Sequence, residues 1–221
     1  MIKLEPHGET ALVRMDNNTA NAVNLNLLEE LAETLETVKQ QYRAMVLAGN
    51  SKFFSIGFDL PALIPLGRNG FYGFFQKFNK TVISILTMPV PTVAALDGHT
   101  IAGGAILALA CDFRVGKEDK TLIGLNEIKL GLPVPFIADL MLRQITGDRT
   151  ATWMIFQGEF VSMAQAARSG LVDRVAGNEG VEAGALDMAA DLAGLSGHAM
   201  EACKAIRTRD ITRAYDAYGT L

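Results

Sequence analysis

The stretch TVAALDGHTIAGGAILALACD, residues 92–112, gives the clearest indication of how this chain folds. Its first five residues form a short apolar run that follows two prolines, Pro89 and Pro91, as expected for a buried strand. A turn then leads to Gly103 and Gly104, and the six residues AILALA that follow are compatible with a helix. The pattern predicts a strand, a glycine turn and a buried helix, which together are typical of α/β folds.

Strands and helices alternate on both sides of this unit. Besides residues 92–96, the predicted strands cover residues 10–16, 43–48, 111–116 and 121–125. Besides the helix after Gly103, the predicted helices cover residues 24–41, 71–86, 135–145, 148–156 and 162–169, and the last forty residues are also predicted to be helical. We therefore predict an α/β core domain over residues 1–178, with ligands at strand ends, and a short helical C-terminal region over residues 179–221.

Composition narrows the function classes. The 221 residues are 49% hydrophobic and 20% charged, as in ordinary globular proteins. A net charge of −4 offers none of the clustered basic residues that phosphate binding needs, so we expect no nucleic-acid partner. Prolines and polar residues interrupt the most apolar stretch, and the charged N-terminus lacks the apolar core of a secretory signal. We expect no membrane span and a cytoplasmic location, and the scattered histidines and cysteines predict no metal site.

Two glycine turns and one acidic residue carry the chemistry. They lie in AGNSKFFSIGFDL (residues 48–60), in DGHTIAGGAILALACD (residues 97–112) and in GLNEIKLG (residues 124–131). Their order and spacing resemble those of the crotonase superfamily of enoyl-CoA hydratases and isomerases, as do NAVN (residues 21–24) and MAQAARSGLVDRV (residues 163–175). The resemblance implies a crotonase-like ββα superhelix that binds an acyl-CoA thioester and needs no cofactor, because coenzyme A enters as part of the substrate. It also implies a homotrimer or a dimer of trimers.

The resemblance also implies roles for particular residues. Phe58 and Gly103 would supply the two backbone amides of an oxyanion hole, and Glu127 would be the catalytic glutamate. Removing a proton beside a thioester places negative charge on the thioester oxygen, which preorganised amides stabilise. Further substrate-binding residues implied by the same motifs are Ala22, Val23, Ser55, Ile56, Gly57, Asp59, Leu60, Gly104, Ile106, Asn126 and Leu130.

One missing acid separates the two main reactions of this family. The hydratases carry a first glutamate three residues past the oxyanion glycine, where this chain has Ile106. Because an isoleucine cannot transfer a proton, Glu127 remains alone. This combination resembles the 3,2-trans-enoyl-CoA isomerases, in which one base moves a proton from C2 of a 3-enoyl-CoA to C4. An apolar pocket made by Leu125, Ile128 and Leu130 would raise the pKa of Glu127 to suit this role.

Other functions stay open on the sequence alone. The first alternative is an enoyl-CoA hydratase that uses Glu127 with a second acid such as Glu118, and another is a non-catalytic acyl-CoA-binding or assembly subunit. A nucleophilic Ser55 and a dinucleotide-binding domain are disfavoured, because neither has its glycine motif here. Asp59 and Asp112 follow a turn or a helix end, where we expect them to have structural roles.

Aromatic residues crowd the helix predicted over residues 71–86. They could line an acyl tunnel or fill the core, and we expect a mixture of both roles among Phe71, Tyr72, Phe74, Phe75 and Phe78. His99 lies in the glycine turn, where it either contacts a ligand or has a satisfied partner in the core.

Overall fold

Two β-sheets lie among α-helices in the computed structural model, which describes residues 1–118, 120–177 and 180–218. The strands are β1 (Ile2–His7), β2 (Thr10–Met15), β3 (Ala44–Ala48), β4 (Phe53–Ser55), β5 (Thr92–Leu96), β6 (His99–Ile101), β7 (Phe113–Lys117), β8 (Leu122–Gly124), β9 (Val161–Ser162) and β10 (Arg174–Ala176). The α-helices are α1 (Leu25–Gln41), α2 (Leu60–Leu63), α3 (Gly67–Leu86), α4 (Gly103–Ala110), α5 (Phe136–Thr146), α6 (Asp148–Gln157), α7 (Met163–Arg168), α8 (Val181–Ala193) and α9 (Gly197–Tyr218). Short 3₁₀ helices cover Ile64–Leu66 and Glu127–Leu130.

The path of the chain between the two sheets is repetitive. The larger sheet has the strand order β1-β2-β3-β5-β7-β10, and the smaller sheet has the order β4-β6-β8-β9. The pairs β1/β2 and β8/β9 are antiparallel, and the other neighbours are parallel. The pairs β3–β4, β5–β6 and β7–β8 each place one strand in each sheet before the chain returns through helices. The ββα superhelix predicted from the sequence is therefore confirmed.

Helix α1 forms where its sequence predicts. The side chain of Asn24 accepts a hydrogen bond from the amide of Leu27 and so caps the first turn, as predicted. Its apolar residues recur at helical spacing, and the side chains that they bury against the core are Leu27, Leu28, Leu31, Leu35 and Val38. Together the cap and the apolar stripe fix both the start of this helix and its buried face.

Helix α4 lies at the centre of the molecule. All eight of its residues are buried, as predicted for the segment after the glycine turn. A helix that is apolar on every side must be enclosed by other elements. The neighbours of α4 include α3, α5, β4 and β6, so the start of this helix is fixed between both glycine turns.

The C-terminal helices pack on different parts of the core. Helix α8 covers one face of the larger sheet, where Val181, Ala185 and Ala189 join a buried cluster with Val46 and Val93. Helix α9 packs against α5. The predicted boundary between residues 178 and 179 lies outside the described residues, and the division into two regions stays a prediction.

Several elements differ from the sequence-based expectations at their ends or in their presence. Helix α3 begins at Gly67, earlier than the predicted residue 71. Strands β4, β6, β9 and β10 have only two or three residues, which is too short to show an alternating apolar pattern. Strand β1 was also not predicted, and its residues are only partly buried. Pairing with neighbouring strands, rather than a local sequence pattern, determines these strands.

Candidate active site

A cavity of about 760 Å³ lies where the two glycine turns meet the segment that contains Glu127. Its wall also includes the start of α3, the chain that leads into α5, and the end of α9. Aliphatic, aromatic and proline residues form most of this wall. Among the described lining residues, Glu127 is the one carboxylate. A large apolar cavity with a few polar groups is typical of a binding site for a small organic ligand.

The two glycine turns touch each other through their backbones. Gly57 has a φ of +89°, and a Cβ atom added to it would lie 2.8 Å from the nitrogen of Gly103. A Cβ atom on Gly104 would lie 2.4 Å from the carbonyl oxygen of Ser55. Such distances leave no room for a side chain, so this close approach requires glycine. The contact places the amide that follows Gly57 beside the start of α4.

The two predicted oxyanion amides are free to bind a ligand. Within the described part of the chain, the N–H groups of Phe58 and Gly103 donate to no acceptor, and both residues line the cavity. The neighbouring amides are paired, since Asp59 donates to the oxygen of Val23 at 2.9 Å and Ala102 donates to the oxygen of Gly124 at 3.0 Å. Gly103 begins α4, where amides lack a partner inside the helix and carry the positive end of its dipole. This pair of free donors is suited to stabilising a negatively charged oxygen.

Glu127 begins a 3₁₀ helix and lies against the cavity. The residue is 9% exposed, and its Oε2 atom is buried without a hydrogen-bond partner in the described structure. Burial raises the pKa of this carboxyl, because the charged form loses solvation. Of the three residues expected to form an apolar pocket, only Leu130 lines the cavity. Leu125 is buried outside its lining, and Ile128 is 44% exposed.

One apolar residue, Ile106, and one polar residue, Asn126, line the cavity together with Glu127. Ile106 is buried and lines the same cavity, so the place expected for a second acid holds an aliphatic side chain. Asn126 also lines the cavity, and its Oδ1 atom is buried without a donor. The described lining of the cavity therefore offers one carboxylate, one side-chain amide and the phenol of Tyr218.

The predicted substrate-binding residues fall into two groups. Those that line the cavity are Ile56, Leu60, Ile106, Asn126 and Leu130. Those outside its lining are Ala22, Val23, Ser55, Gly57, Asp59 and Gly104. The role of both groups in substrate binding stays a prediction.

Residues of the second group form hydrogen bonds that hold the first glycine turn, which contains Gly57. The Ser55 hydroxyl donates to the oxygen of Asn21 at 2.7 Å and accepts from the amide of Gly57 at 3.1 Å. Val23 donates through its amide to the oxygen of Gly57 at 2.7 Å. The Asp59 carboxylate accepts from the amide of Ala62 and caps α2. These contacts fix the backbone on both sides of Phe58.

Aromatic residues on α3 have both of the expected roles. Phe71 and Phe75 line the main cavity, whereas Phe74 and Phe78 are fully buried. Tyr72 is 45% exposed and lines a separate depression with Phe71 and Phe75. These residues therefore divide between the cavity wall and the core, and the use of this cavity as an acyl tunnel stays a prediction.

His99 and Asp112 have structural partners, whereas Glu118 lies away from the main cavity. The Nδ1 atom of His99 accepts from the amide of Leu122 at 3.2 Å, so this histidine is satisfied within the fold. The Asp112 carboxylate accepts from the amide of Thr92 at 2.8 Å and from Lys204 at 2.6 Å. Glu118, the candidate second acid, is exposed and lines a different depression from Glu127. It therefore cannot act at the main cavity in this structure.

Some lining residues were not found from the sequence. They come from the segment 132–136 and from Tyr218, the last described residue of α9. The prolines of segment 132–136 indicate a loop but carry no sign of a binding role. Tyr218 is more than 90 positions from Glu127 in the chain and reaches the cavity only because α9 packs across it.

Two further kinds of site are absent from the parts of the chain that the structure covers. None of the helices there combines the length and apolar character needed to cross a membrane. Residues 1–118, 120–177 and 180–218 contain no cluster of three or more His, Cys, Asp or Glu side chains placed to hold a metal ion.

Comparison with known proteins gives a consistent family. The enoyl-CoA hydratase/isomerase family matches residues 6–220. Enoyl-CoA delta isomerase 3 of Arabidopsis thaliana is 27% identical over 183 residues, which cover 80% of this chain and 77% of that protein. Enoyl-CoA isomerase/hydratase fer4 of Mycosarcoma maydis is 31% identical over 166 residues, which cover 71% of this chain and 61% of that protein.

A solved structure extends this likeness to the whole fold. Human mitochondrial delta3-delta2-enoyl-CoA isomerase superposes with a TM-score of 0.94 at 27% identity, and the match covers 99% of this chain and 87% of that one. The family match includes all three motifs that shape the cavity. The chain therefore belongs to the enoyl-CoA hydratase/isomerase family of the crotonase superfamily and is an enzyme of that family.

Proposed function

We propose that this enzyme converts 3-enoyl-CoA thioesters into 2-trans-enoyl-CoA thioesters. The Glu127 carboxylate removes a proton from C2, and the electrons move onto the thioester oxygen to form an enolate. The amides of Phe58 and Gly103 stabilise that oxygen. The protonated Glu127 then returns the proton to C4, and the double bond comes to lie between C2 and C3. No water is consumed, and no cofactor is required beyond the CoA of the substrate.

The observation that carries the proposal is the single carboxylate of the cavity. Glu127 is the one carboxylate among the described lining residues, and the apolar Ile106 lines the same space. Moving a proton between two carbons requires one base, whereas the hydration mechanism of the family uses two glutamates. The wall of the cavity therefore favours isomerisation over hydration.

The environment of Glu127 fits the work of a base near neutral pH. Burial raises its pKa, which brings the proton affinity of the carboxylate closer to the value that proton transfer from carbon needs. Its Oε2 atom has no partner in the described structure and is available to accept a proton. A carboxylate held in this way is prepared for proton transfer.

The alternative is an enoyl-CoA hydratase. The name of the Mycosarcoma maydis relative includes both activities. The unpaired Oδ1 atom of Asn126 could also hold a water molecule beside Glu127. Hydration would then have to proceed without a second carboxylate, since Glu118 lines another depression.

The experiment that separates these functions compares two substrates. Wild-type enzyme is incubated with 3-hexenoyl-CoA and with crotonyl-CoA, and products are identified by chromatography. We expect conjugated 2-hexenoyl-CoA from the first and little water addition to the second. Hydration of crotonyl-CoA at enzymatic rates, with 3-hexenoyl-CoA untouched, would contradict the proposal.

A pair of matched variants tests the role of the base. Glu127→Gln should lower kcat by about 100-fold or more, because general-base catalysis is lost. Glu118→Gln makes the same chemical change in the separate depression and should keep wild-type kcat. Unchanged turnover in Glu127→Gln would show that Glu127 is not the base. If neither the wild type nor Glu127→Gln turned over either substrate but both bound CoA esters equally, the chain would instead be a non-catalytic binding or assembly subunit.

We further propose the assembly and the location implied by the family resemblance. Both the homotrimer or dimer of trimers and the cytoplasmic location stay predictions. Sedimentation equilibrium of the purified protein tests the first, and a monomer at micromolar concentration would contradict it.

A further inference from the structure

The ring of Phe58 is enclosed by aromatic residues of α3. Its centroid lies 4.9 Å from that of Phe74 and 4.8 Å from that of Phe78, with interplanar angles of 88° and 84°. These edge-to-face arrangements are favourable for aromatic pairs. Phe74 and Phe78 are fully buried and are not among the described residues that line the main cavity. Their contact with the site runs through the Phe58 ring.

The other side of this ring lies against Gly103. A Cβ atom on Gly103 would be 3.0 Å from both Cδ1 and Cε1 of Phe58. The ring therefore packs on the backbone of the residue that carries the second free amide. One side chain thus spans the space between α3 and the start of α4, and it belongs to the residue that carries the first free amide.

An oxyanion donor presents a particular problem of restraint. Its N–H must stay unpaired until substrate binds, so its position depends on bonds to the rest of its peptide unit and on the packing of its side chain. Phe58 lies between β4 and α2, where it forms an isolated β-bridge with Val23, and its own amide has no acceptor within the described part of the chain. Val23 bonds to the carbonyl of Gly57 and the amide of Asp59 on either side, and the carbonyl oxygen of Phe58 accepts from the amide of Leu60 at 2.9 Å. Packing of the ring against Phe74 and Phe78 adds a restraint from α3 to those of the backbone bonds.

We propose that the Phe58 ring acts as a spacer that fixes the two oxyanion amides relative to each other, and that Phe74 and Phe78 are positioning residues that hold this spacer. The inference rests on the proposed function, because it takes the amides of Phe58 and Gly103 as the groups that bind the enolate oxygen. We call Phe74 and Phe78 together the clamp. Loss of either ring leaves both amides chemically intact but displaces them. A displacement of about 1 Å can lower a catalytic rate about 100-fold.

The first test replaces the clamp residues Phe74 and Phe78, which are not among the described residues that line the cavity. Phe74→Leu and Phe78→Leu should each lower kcat for 3-hexenoyl-CoA about 10- to 100-fold, while KM changes by less than about threefold. The matched control is Phe113→Leu, which makes the same substitution at a partly buried phenylalanine of β7 in the other apolar cluster. The control should lower the melting temperature and leave kcat unchanged. Equal kcat values for the clamp variants and the control would overturn the proposal.

A double-mutant cycle tests whether the clamp acts through the ring. Phe58→Leu keeps the backbone amide and removes the aromatic spacer. If Phe74 works by holding that spacer, Phe74→Leu should lower kcat in the wild type but have little further effect in the Phe58→Leu background. Additive losses in kcat would show that Phe74 acts by another route and would overturn the proposal.

A binding measurement separates this inference from the proposed reaction. Acetoacetyl-CoA forms an enolate that absorbs in the ultraviolet, and the oxyanion amides should increase the bound enolate fraction without any turnover. We expect Phe74→Leu and Phe78→Leu to lower this fraction and Phe113→Leu to preserve it. If the wild type stabilises the enolate but isomerises no enoyl-CoA, the proposed function fails alone. If the clamp variants keep both the enolate fraction and kcat, this inference fails alone.

Discussion

Replacing Gly57 by alanine gives a quantitative test of the oxyanion hole. The new Cβ atom would lie 2.8 Å from the nitrogen of Gly103, 3.1 Å from Cβ of Ala102 and 3.2 Å from the oxygen of Ile101. The methyl group would therefore crowd a donor that the reaction needs. Losing one oxyanion donor costs about 2.7–4 kcal/mol in the transition state, so kcat should fall about 100- to 1,000-fold.

The same substitution also strains the backbone. Gly57 has a φ of +89°, and an L residue in the left-handed region costs about 1–2 kcal/mol. Gly8→Ala is the matched control, because Gly8 has a φ of +62° and its added Cβ would meet nothing within 4 Å. It should lower the free energy of unfolding by about 1–2 kcal/mol and leave kcat unchanged.

The assay combines isomerisation of 3-hexenoyl-CoA with urea unfolding of both variants. We expect both to lose stability and only Gly57→Ala to lose turnover. Wild-type kcat in a folded Gly57→Ala enzyme would refute the assignment of the Gly103 amide. A proportional loss of kcat in Gly8→Ala would show that backbone strain, rather than a blocked donor, explains the result.

Three further substitutions have defined outcomes. Because burial raises the pKa of Glu127, the folded state binds its proton more tightly than the unfolded state, and the wild type gains stability as pH falls through that raised pKa. Glu127→Gln should therefore have a higher melting temperature than the wild type at neutral pH, and the difference should shrink towards pH 4.5. A constant difference across that range would show that the buried charge of Glu127 is not its cause. Ile106→Glu should add measurable hydration of crotonyl-CoA by placing a second carboxylate in the cavity, and its absence would show that the geometry of the site also excludes water addition. Lys204→Met should lower the free energy of unfolding by about 2–3 kcal/mol in urea, since it leaves the partly buried Asp112 without its cation, and an unchanged midpoint would show that Thr92 is a sufficient partner.

Features encoded in neighbouring residues were predictable from the sequence. The Asn24 cap and the apolar stripe of α1 act within one helix, so local chemistry determines them. The glycines at 57, 103 and 104 were singled out because their motifs resemble those of the family, and close backbone contacts at Gly57 and Gly104 explain the need for glycine there. The three motifs that shape the cavity were recognised from their order and spacing, which resemble those of the family.

Features that depend on distant packing could not be predicted in this way. Strands β4 and β6 have three residues each, and their pairing rather than their pattern makes them strands. Tyr218 reaches the cavity through the packing of α9, which no local pattern encodes. The exposure of Ile128 likewise follows from the direction in which the 3₁₀ helix turns after Glu127.

A crystal structure of the enzyme with acetoacetyl-CoA tests the central claim most directly. We predict that the thioester oxygen lies about 2.7–3.1 Å from the amide nitrogens of both Phe58 and Gly103, with the Glu127 carboxylate over C2. An oxygen bound away from either amide, or a Glu127 side chain turned from the bound ligand, would contradict the mechanism.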